Sequence, residues 1–315
     1  MADYDDPFRA TFYALVQRAR GTSGSKLTDA DRCDGVALVT GANRGLGEAI
    51  AVGLAERGAE VILAGRTPAA HARRTIRERG GEARCEHVDL ADLRSVRELA
   101  ERVSDRPIRA LVLNAGVVPP RSRATAQGFE IQNGVNYLAN VLLVDELVRR
   151  GALGEGSRVV TVSSESHRSS APMDLSALGH ADEYGMRGVL ERYSYSKMLL
   201  TTWSVHMAKE LEGEGIAFHS MCPGPVRTDI AREAPKLGQL VLAPIMRVFF
   251  VDPKIGAEPV VYLACARDLE GRTGLYYHRW EEKPPHERCL DPENGRALTE
   301  ESRRLIERAL APSAG

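Results

Sequence analysis

Tyr193 and Lys197 stand four residues apart in the stretch E-R-Y-S-Y-S-K, Glu191–Lys197. On a helix this spacing puts both on one face. An ammonium beside a phenol stabilises the phenolate and lowers its pKa, which gives an acid–base group usable near neutrality. By itself such a pair also describes an ordinary helix surface. Tyr195 cannot share that face. A second polar residue in apolar company is Asn136, among Val135, Leu138, Val141 and Leu142. A buried asparagine must be hydrogen-bonded, and periodicity leaves a structural bridge and a site residue equally open.

Another set of residues suits a dinucleotide. Val36–Gly47 reads V-A-L-V-T-G-A-N-R-G-L-G. An apolar run ends in Thr40. Gly41, Gly45 and Gly47 follow, with Asn43, Arg44 and Leu46 between them, and an apolar-periodic segment from Ala49 begins at once. This is strand, glycine turn, helix. Such a turn brings backbone N–H groups and a helix N-terminus up to an anion. Glycine permits positive φ and close approach of a pyrophosphate. The spacing is G-x-x-x-G-x-G rather than G-x-G-x-x-G.

The second strand ends V-I-L-A-G-R. Gly65 stands where an acidic residue would take the adenosine ribose hydroxyls, and Arg66 follows. With Arg44, this places two guanidiniums near the ribose, which suits a 2′-phosphate and favours NADP(H) over NAD(H). Asp89, followed by Leu90, lies at the carboxyl end of the third strand, where ligands meet an open α/β sheet. It can hydrogen-bond an adenine or cap a helix, and Asp92 competes for the capping role. Asn114, Ala115 and Gly116 close L-V-L-N-A-G, a further place for close backbone approach, although Asn114 also fits a plain turn.

These residues need a scaffold that alternates strand and helix. Strands are expected at 36–40, 60–65, 83–88, 109–114, 157–163, 215–221 and 273–277. Helices are expected at 45–57, 91–103, 125–149 and 192–213. The alternation predicts an α/β fold: one Rossmann-type doubly wound domain, a seven-stranded parallel sheet with helices on both faces. Residues 1–34 form an arm with a short helix (Phe8, Phe12, Leu15, Val16), 35–280 the domain, and 281–315 a charged tail. The tail carries a helix at 299–310 started by Thr299 and Ser302.

Composition excludes several classes of function. The 315 residues are 43% hydrophobic and 27% charged, enough for a sizeable core. Net charge is −1 with no basic block, so nothing invites nucleic acid. Five scattered cysteines lack metal-ligand spacing and fit a reduced, cytoplasmic compartment, and no metal is expected. Leu237–Val251 is apolar but interrupted by Gln239, Pro244 and Arg247, too short to span a bilayer.

Taken together, T-G-x-x-x-G-x-G at Thr40–Gly47, N-A-G at Asn114–Gly116, Asn136, Ser164, Tyr193-x-x-x-Lys197 and P-G at Pro223–Gly224 occur in order. The chain resembles the short-chain dehydrogenase/reductase family over about residues 35–280. Within it, the retinol-dehydrogenase-like branch is the most similar, by V-I-L-A-G-R, G-F-E-x-Q-x-G-V-N-x-L and a long Ser-to-Tyr interval containing Met173–Leu175. It departs from that branch at Tyr137 and Asn140, where histidine is common, and at Ala139, commonly glycine. The resemblance implies that Tyr193 is the general acid in reduction and the base in oxidation. It implies that Lys197 lowers the Tyr193 pKa and holds the nicotinamide ribose. Ser164, rather than Ser163, would hydrogen-bond the substrate oxygen, and Asn136 would hold a relay water. Pro223, Gly224, Val226 and Thr228 would lie along the nicotinamide.

The resemblance further implies a homodimer or homotetramer through the helices at 125–149 and 192–213. The region after Thr228 corresponds to the family's substrate lid. Its apolar character fits a lipophilic substrate, a buried helix pair or a peripheral membrane contact. The expected function is NADP(H)-dependent hydride transfer on a carbonyl/alcohol pair. The alternatives are a non-catalytic NADP(H)-binding scaffold or sensor, and a membrane-surface interaction protein.

Overall fold

The computed structural model describes residues 24–179, 181, 184–225 and 251–311. The expected helix around Phe8–Val16, the site residues Val226 and Thr228, and the apolar stretch at 237–250 lie outside them.

Eight strands form one sheet: β1 Gly35–Thr40, β2 Ala59–Gly65, β3 Ala83–His87, β4 Ile108–Leu113, β5 Arg158–Val162, β6 Ala217–Cys222, β7 Leu275–His278 and β8 Glu281–Glu282. Their order is β3-β2-β1-β4-β5-β6-β7-β8. The seven expected strands are all parallel. The added β8 is a two-residue antiparallel edge on β7, pairing Tyr277 with Glu282 and His278 with Glu281. An exposed Glu-Glu pair carries no strand pattern, and charge on an edge discourages further pairing.

Alternate residues of each strand feed two different cores, as a period of two requires. Val36 and Leu38 of β1, with Leu111 and Leu113 of β4, join one apolar layer. Ala37 and Val39, with Ala110 and Val112, join the other. The second layer is covered by α1 Gly45–Glu56, α2 Ala70–Glu78 and α6 Pro253–Cys265. The first is covered by α3 Leu93–Val103, α4 Ala139–Arg149, α5 Met186–Glu210 and α7 Pro292–Leu310.

Three helices begin elsewhere than expected. Helix was expected from residue 125, but 125–130 make a tight turn bridging Ala124 and Glu130, with Gly128 at φ 84°. Glu130 then accepts from Gln132 and Asn133 N–H and starts the helical turn Ile131–Asn133. A π-turn, Gly134–Leu138, leads on into α4, and Ala139 N–H reaches the Gly134 carbonyl five residues back. Helix α5 starts at Met186, six residues before its expected first residue. Helix α7 starts at Pro292 because Asp291 caps it by accepting from Glu293 N–H. Thr299 and Ser302 are therefore interior, and their hydroxyls donate to the Gly295 and Leu298 carbonyls one turn back.

The strip beyond the carboxyl ends of β1, β4, β5 and β6 collects the turns that carry the candidate residues. The sheet's order reverses between β1 and β4, the place where open α/β sheets bind ligands.

Candidate active site

Glycine at 41, 45 and 47 has three separate reasons. Gly41 and Gly45 take φ of 68° and 59°. A Cβ on Gly41 would lie 3.0 Å from the Ala115 Cα, and one on Gly47 would lie 2.5 Å from Asn114 Nδ2. The turn is thus pressed against the N-A-G segment. Helix α1 begins at Gly45 with Arg44 as an extended N-cap whose side chain makes no capping bond. Its first N–H groups and the positive end of its dipole are left for an anion. This cradle fits a dinucleotide pyrophosphate. Leu46 turns inward and is buried in the core behind it.

Thr40 and Asn114 lock the turn to β4. Thr40 Oγ1 accepts from Asn114 N–H and Ala115 N–H, both at 3.1 Å. Asn114 Nδ2 donates to the Thr40 carbonyl at 2.9 Å. Beyond Gly116, Val117 is held by Asn136: Val117 N–H donates to Oδ1 at 2.8 Å, and Nδ2 donates to the Val117 carbonyl at 3.1 Å. The same Nδ2 donates to Ser196 Oγ at 3.0 Å, which joins the loop to α5. The Asn136 side chain therefore bridges the N-A-G loop to α5. The Asn136 backbone carbonyl accepts from Asn140 Nδ2 at 2.8 Å, so Asn140 is a polar partner inside the helix.

Ser164 and Tyr193 meet at the end of β5. The Ser164 hydroxyl lies close enough to the phenol to favour its ionised form, and Ser164 Oγ accepts from Ser166 N–H at 3.2 Å. Ser163 points the other way, into the core, onto Thr201 Oγ1 at 2.6 Å. Lys197 is buried, with Nζ donating to the Val162 carbonyl at 2.8 Å and lying 5.7 Å from the Tyr193 ring centre. Tyr195, on another face, donates to the Asp174 carbonyl at 2.7 Å and pins the Met173–Leu175 segment.

The expected depression of the Tyr193 pKa is not found. Burial pushes the phenol up to about 12, the nearby Cys222 thiol adds to this, and only the Ser164 hydroxyl opposes it. Burial lowers the Lys197 ammonium to about 8. Desolvation is the largest influence on both groups, and neither shift carries a contribution from the other. At neutral pH the site holds a protonated phenol.

At the adenosine end, Asn43 Nδ2 donates to Thr67 Oγ1 at 2.8 Å and ties the glycine turn to the segment after β2. Arg44 and Arg66, both exposed, flank that tie in sequence. Asp92, not Asp89, caps α3 by accepting from Arg94 N–H at 2.9 Å. Half-buried Asp89 accepts from Ala91 N–H at 3.0 Å and sits beyond β3, while Leu90 is buried. Pro223 and Gly224 follow β6, with Gly224 at φ 74°.

Four residues of this site escape sequence reasoning. Thr40 reads as the end of an apolar run and the first letter of the T-G-x-x-x-G-x-G motif, with nothing to say what its hydroxyl holds, and Ser196 reads as part of α5. Cys222 reads as an unpaired core cysteine. Arg279, at φ 57°, donates its N–H to the Cys222 carbonyl at 2.9 Å, and its side chain lies against Gly224. Nothing in its neighbours announces that conformation. Among the described residues no group of acids, histidines and cysteines is placed to hold a metal ion. None of their helices is long and apolar enough to cross a membrane.

The model of a family described as short chain dehydrogenase matches residues 35–175. Retinol dehydrogenase 13 of Mus musculus is 33% identical, over 87% of this chain and 84% of its own length. Polyprenol dehydrogenase of Danio rerio is 31% identical, over 87% and 86%. Among solved structures, an uncharacterised protein of Mycobacterium paratuberculosis superposes with a TM-score of 0.70 at 29% identity, covering 89% of this chain and 97% of that one. A short chain dehydrogenase of Burkholderia cenocepacia in complex with NADP superposes with a TM-score of 0.60 at 28% identity, covering 79% and 97%.

Proposed function

The chain belongs to the short-chain dehydrogenase family of NAD(P)-dependent oxidoreductases, and we propose that it uses NADPH to reduce a carbonyl group on a lipophilic substrate. The observation that carries this reading is the buried Lys197 set 5.7 Å from the Tyr193 ring centre, with Ser164 close to the phenol and the N-A-G segment pressed on an uncapped glycine turn.

When bound, the nicotinamide supplies the hydride. The chain does the rest. The N-terminus of α1 holds the pyrophosphate, and Arg44 and Arg66 hold the 2′-phosphate. The backbones of Asn114–Gly116 and Pro223–Gly224 border the nicotinamide end, and Lys197 with Tyr193 holds its ribose. As the carbonyl carbon gains hydride, its oxygen gains negative charge. Ser164 donates a hydrogen bond to that oxygen, and Tyr193 transfers its proton to it, giving the alcohol. A phenol kept protonated to about pH 12 suits reduction, where an acid is needed. The buried Lys197 cation faces the phenolate that is left.

A lipophilic substrate is supported by relatives named for retinol and polyprenol and by the apolar stretch from Leu237 to Val251. The test is initial-rate reduction of retinal, long-chain aldehydes and steroid ketones against short polar carbonyls, with NADPH and with NADH. Higher kcat/KM for the apolar set with NADPH is expected. A preference for polar substrates, or for NADH, would overturn that part of the reading.

A further inference from the structure

The loop that carries Ser164 is held from behind by a segment that reads as charged tail. Residues Glu165–Ser169 form a 3-10 turn directly after Ser164. Segment 283–288 runs along this turn and bonds to it at each step. Lys283 Nζ donates to Glu165 Oε2 at 2.5 Å. Arg168 Nη2 donates to the Pro284 carbonyl at 2.6 Å, and Arg288 Nη1 to the Ser170 carbonyl at 3.0 Å. From β7, Tyr276 donates its hydroxyl proton to Glu165 Oε1 at 2.7 Å.

His167 lies at the centre of these contacts and is 2% exposed. Its Nδ1 is 2.7 Å from the Ser164 carbonyl oxygen, which can only accept, so Nδ1 carries the proton. Its Nε2 accepts from His286 N–H at 3.0 Å, so Nε2 carries none. The two bonds agree on one neutral tautomer. Burial holds it there, with the pKa lowered to about 4. The ring also meets Tyr276 edge-on, centres 5.2 Å apart. One imidazole thus links the backbone of Ser164 to the backbone of the tail.

We propose that His167 is a positioning residue for Ser164: through its Nδ1–H it fixes the Ser164 peptide, and through Nε2 it anchors that peptide to segment 283–288. The proposal rests on Ser164 acting on the substrate oxygen. A displacement of about 1 Å at such a donor can cost up to ~10²-fold in rate. The residue touches neither substrate nor the nicotinamide cradle, so its effect is on kcat rather than on NADPH binding.

Two substitutions separate the halves of the ring. His167→Asn places an amide where Nδ1 is and can still donate to the Ser164 carbonyl. His167→Gln places one where Nε2 is and can still accept from His286. Two readouts are compared with wild type: kcat at saturating NADPH, and hydrogen exchange at the Ser166 amide, which donates to Ser164 Oγ. In the Gln variant we expect kcat to fall about tenfold or more, the Ser166 amide to lose protection, and the NADPH Kd to stay unchanged. The Asn variant, which keeps the Ser164 bond and loses only the anchor to His286, should show the same losses to a smaller extent. Wild-type values in the Gln variant would overturn the proposal, as would equal losses in the two variants. The amide reads Ser164 without turnover. If the wild-type protein reduces no carbonyl, the proposed function falls while the exchange data still decide the role of His167.

Discussion

Thr40 makes three hydrogen bonds through one oxygen, and the candidate site depends on it more than its ordinary place in the sequence suggests. Its Oγ1 accepts from the Asn114 and Ala115 N–H groups and donates to the Val112 carbonyl at 3.4 Å. Valine has the same shape and no acceptor, so Thr40→Val leaves two backbone donors without a partner. An orphaned donor costs about 1–3 kcal/mol. We expect denaturant unfolding to show a loss of that order, with NADPH affinity weakened several-fold because the N-A-G segment loosens against the glycine turn. Thr40→Ser should restore both, and an unchanged Thr40→Val protein would show that the three bonds do not matter. At this scale the chemistry-bearing residues were legible by type and spacing. Their partners were not. Nothing in the stretch around His167 reveals that it reaches His286, and nothing near Asn136 reveals that Val117 and Ser196 take both of its amide protons. Such pairings join segments far apart in the chain, and local pattern cannot register them.

Among the elements, α7 changes the reading most. The helices expected to meet a second copy, α4 and α5, both carry α7 in the same chain. Arg303 of α7 makes a forked pair with Asp145 of α4, at 2.9 and 3.0 Å, and reaches Glu210 of α5 at 2.9 Å. Tyr137, which departs from the branch's usual histidine, is fully buried and hydrogen-bonded to Ser302 at 2.8 Å. Gly295 packs on His206 so closely that a Cβ would lie 2.8 Å from it. The groove left between the three helices is mixed, with Asp145, Arg149, Glu210, Glu214 and Arg303 around an apolar floor of Val148, Met207 and Leu211. We therefore propose that a dimer or tetramer of this chain uses a face other than the one α7 covers, so sedimentation equilibrium of an Arg149→Glu variant should match wild type, and a changed oligomeric state would show that α4 meets a partner there. The strand–glycine turn–helix unit and the seven parallel strands were legible because their apolar runs and glycines are local. The π-turn at Gly134–Leu138 and the early start of α7 were not. The first differs from an α-helix by a single shifted hydrogen bond. The second depends on an Asp-Pro cap at Asp291–Pro292, seven residues before the expected start at Thr299.

Among the described residues, buried His167 and His219 and half-buried His278 are held neutral. Burial lowers the pKa of His167 to about 4, of His219 to about 3 and of His278 to about 4. Both ring nitrogens of His219 lack a hydrogen-bond partner. Unfolded, each would bind a proton below about pH 6.5. Between about pH 4 and 6.5 the unfolded chain therefore holds more protons than the folded one, and stability falls as pH drops through that window. Each histidine contributes at most about 1.4 kcal/mol per pH unit there. Glu165, held down to about 2, extends the loss below its ordinary range. Thermal melts from pH 7 to 4 should show Tm falling steadily, and His219→Phe should flatten the slope, whereas a Tm flat to pH 4 would mean that these histidines charge freely in the fold. The central claim is proton donation by Tyr193 to a carbonyl reduced by NADPH. Its most direct test is the rate of NADPH oxidation with a reducible carbonyl in wild type and in Tyr193→Phe, with NADPH affinity measured alongside. The account predicts unchanged affinity and a rate lowered by about 10²–10⁴-fold. A Tyr193→Phe protein that binds NADPH and turns over at the wild-type rate would contradict it.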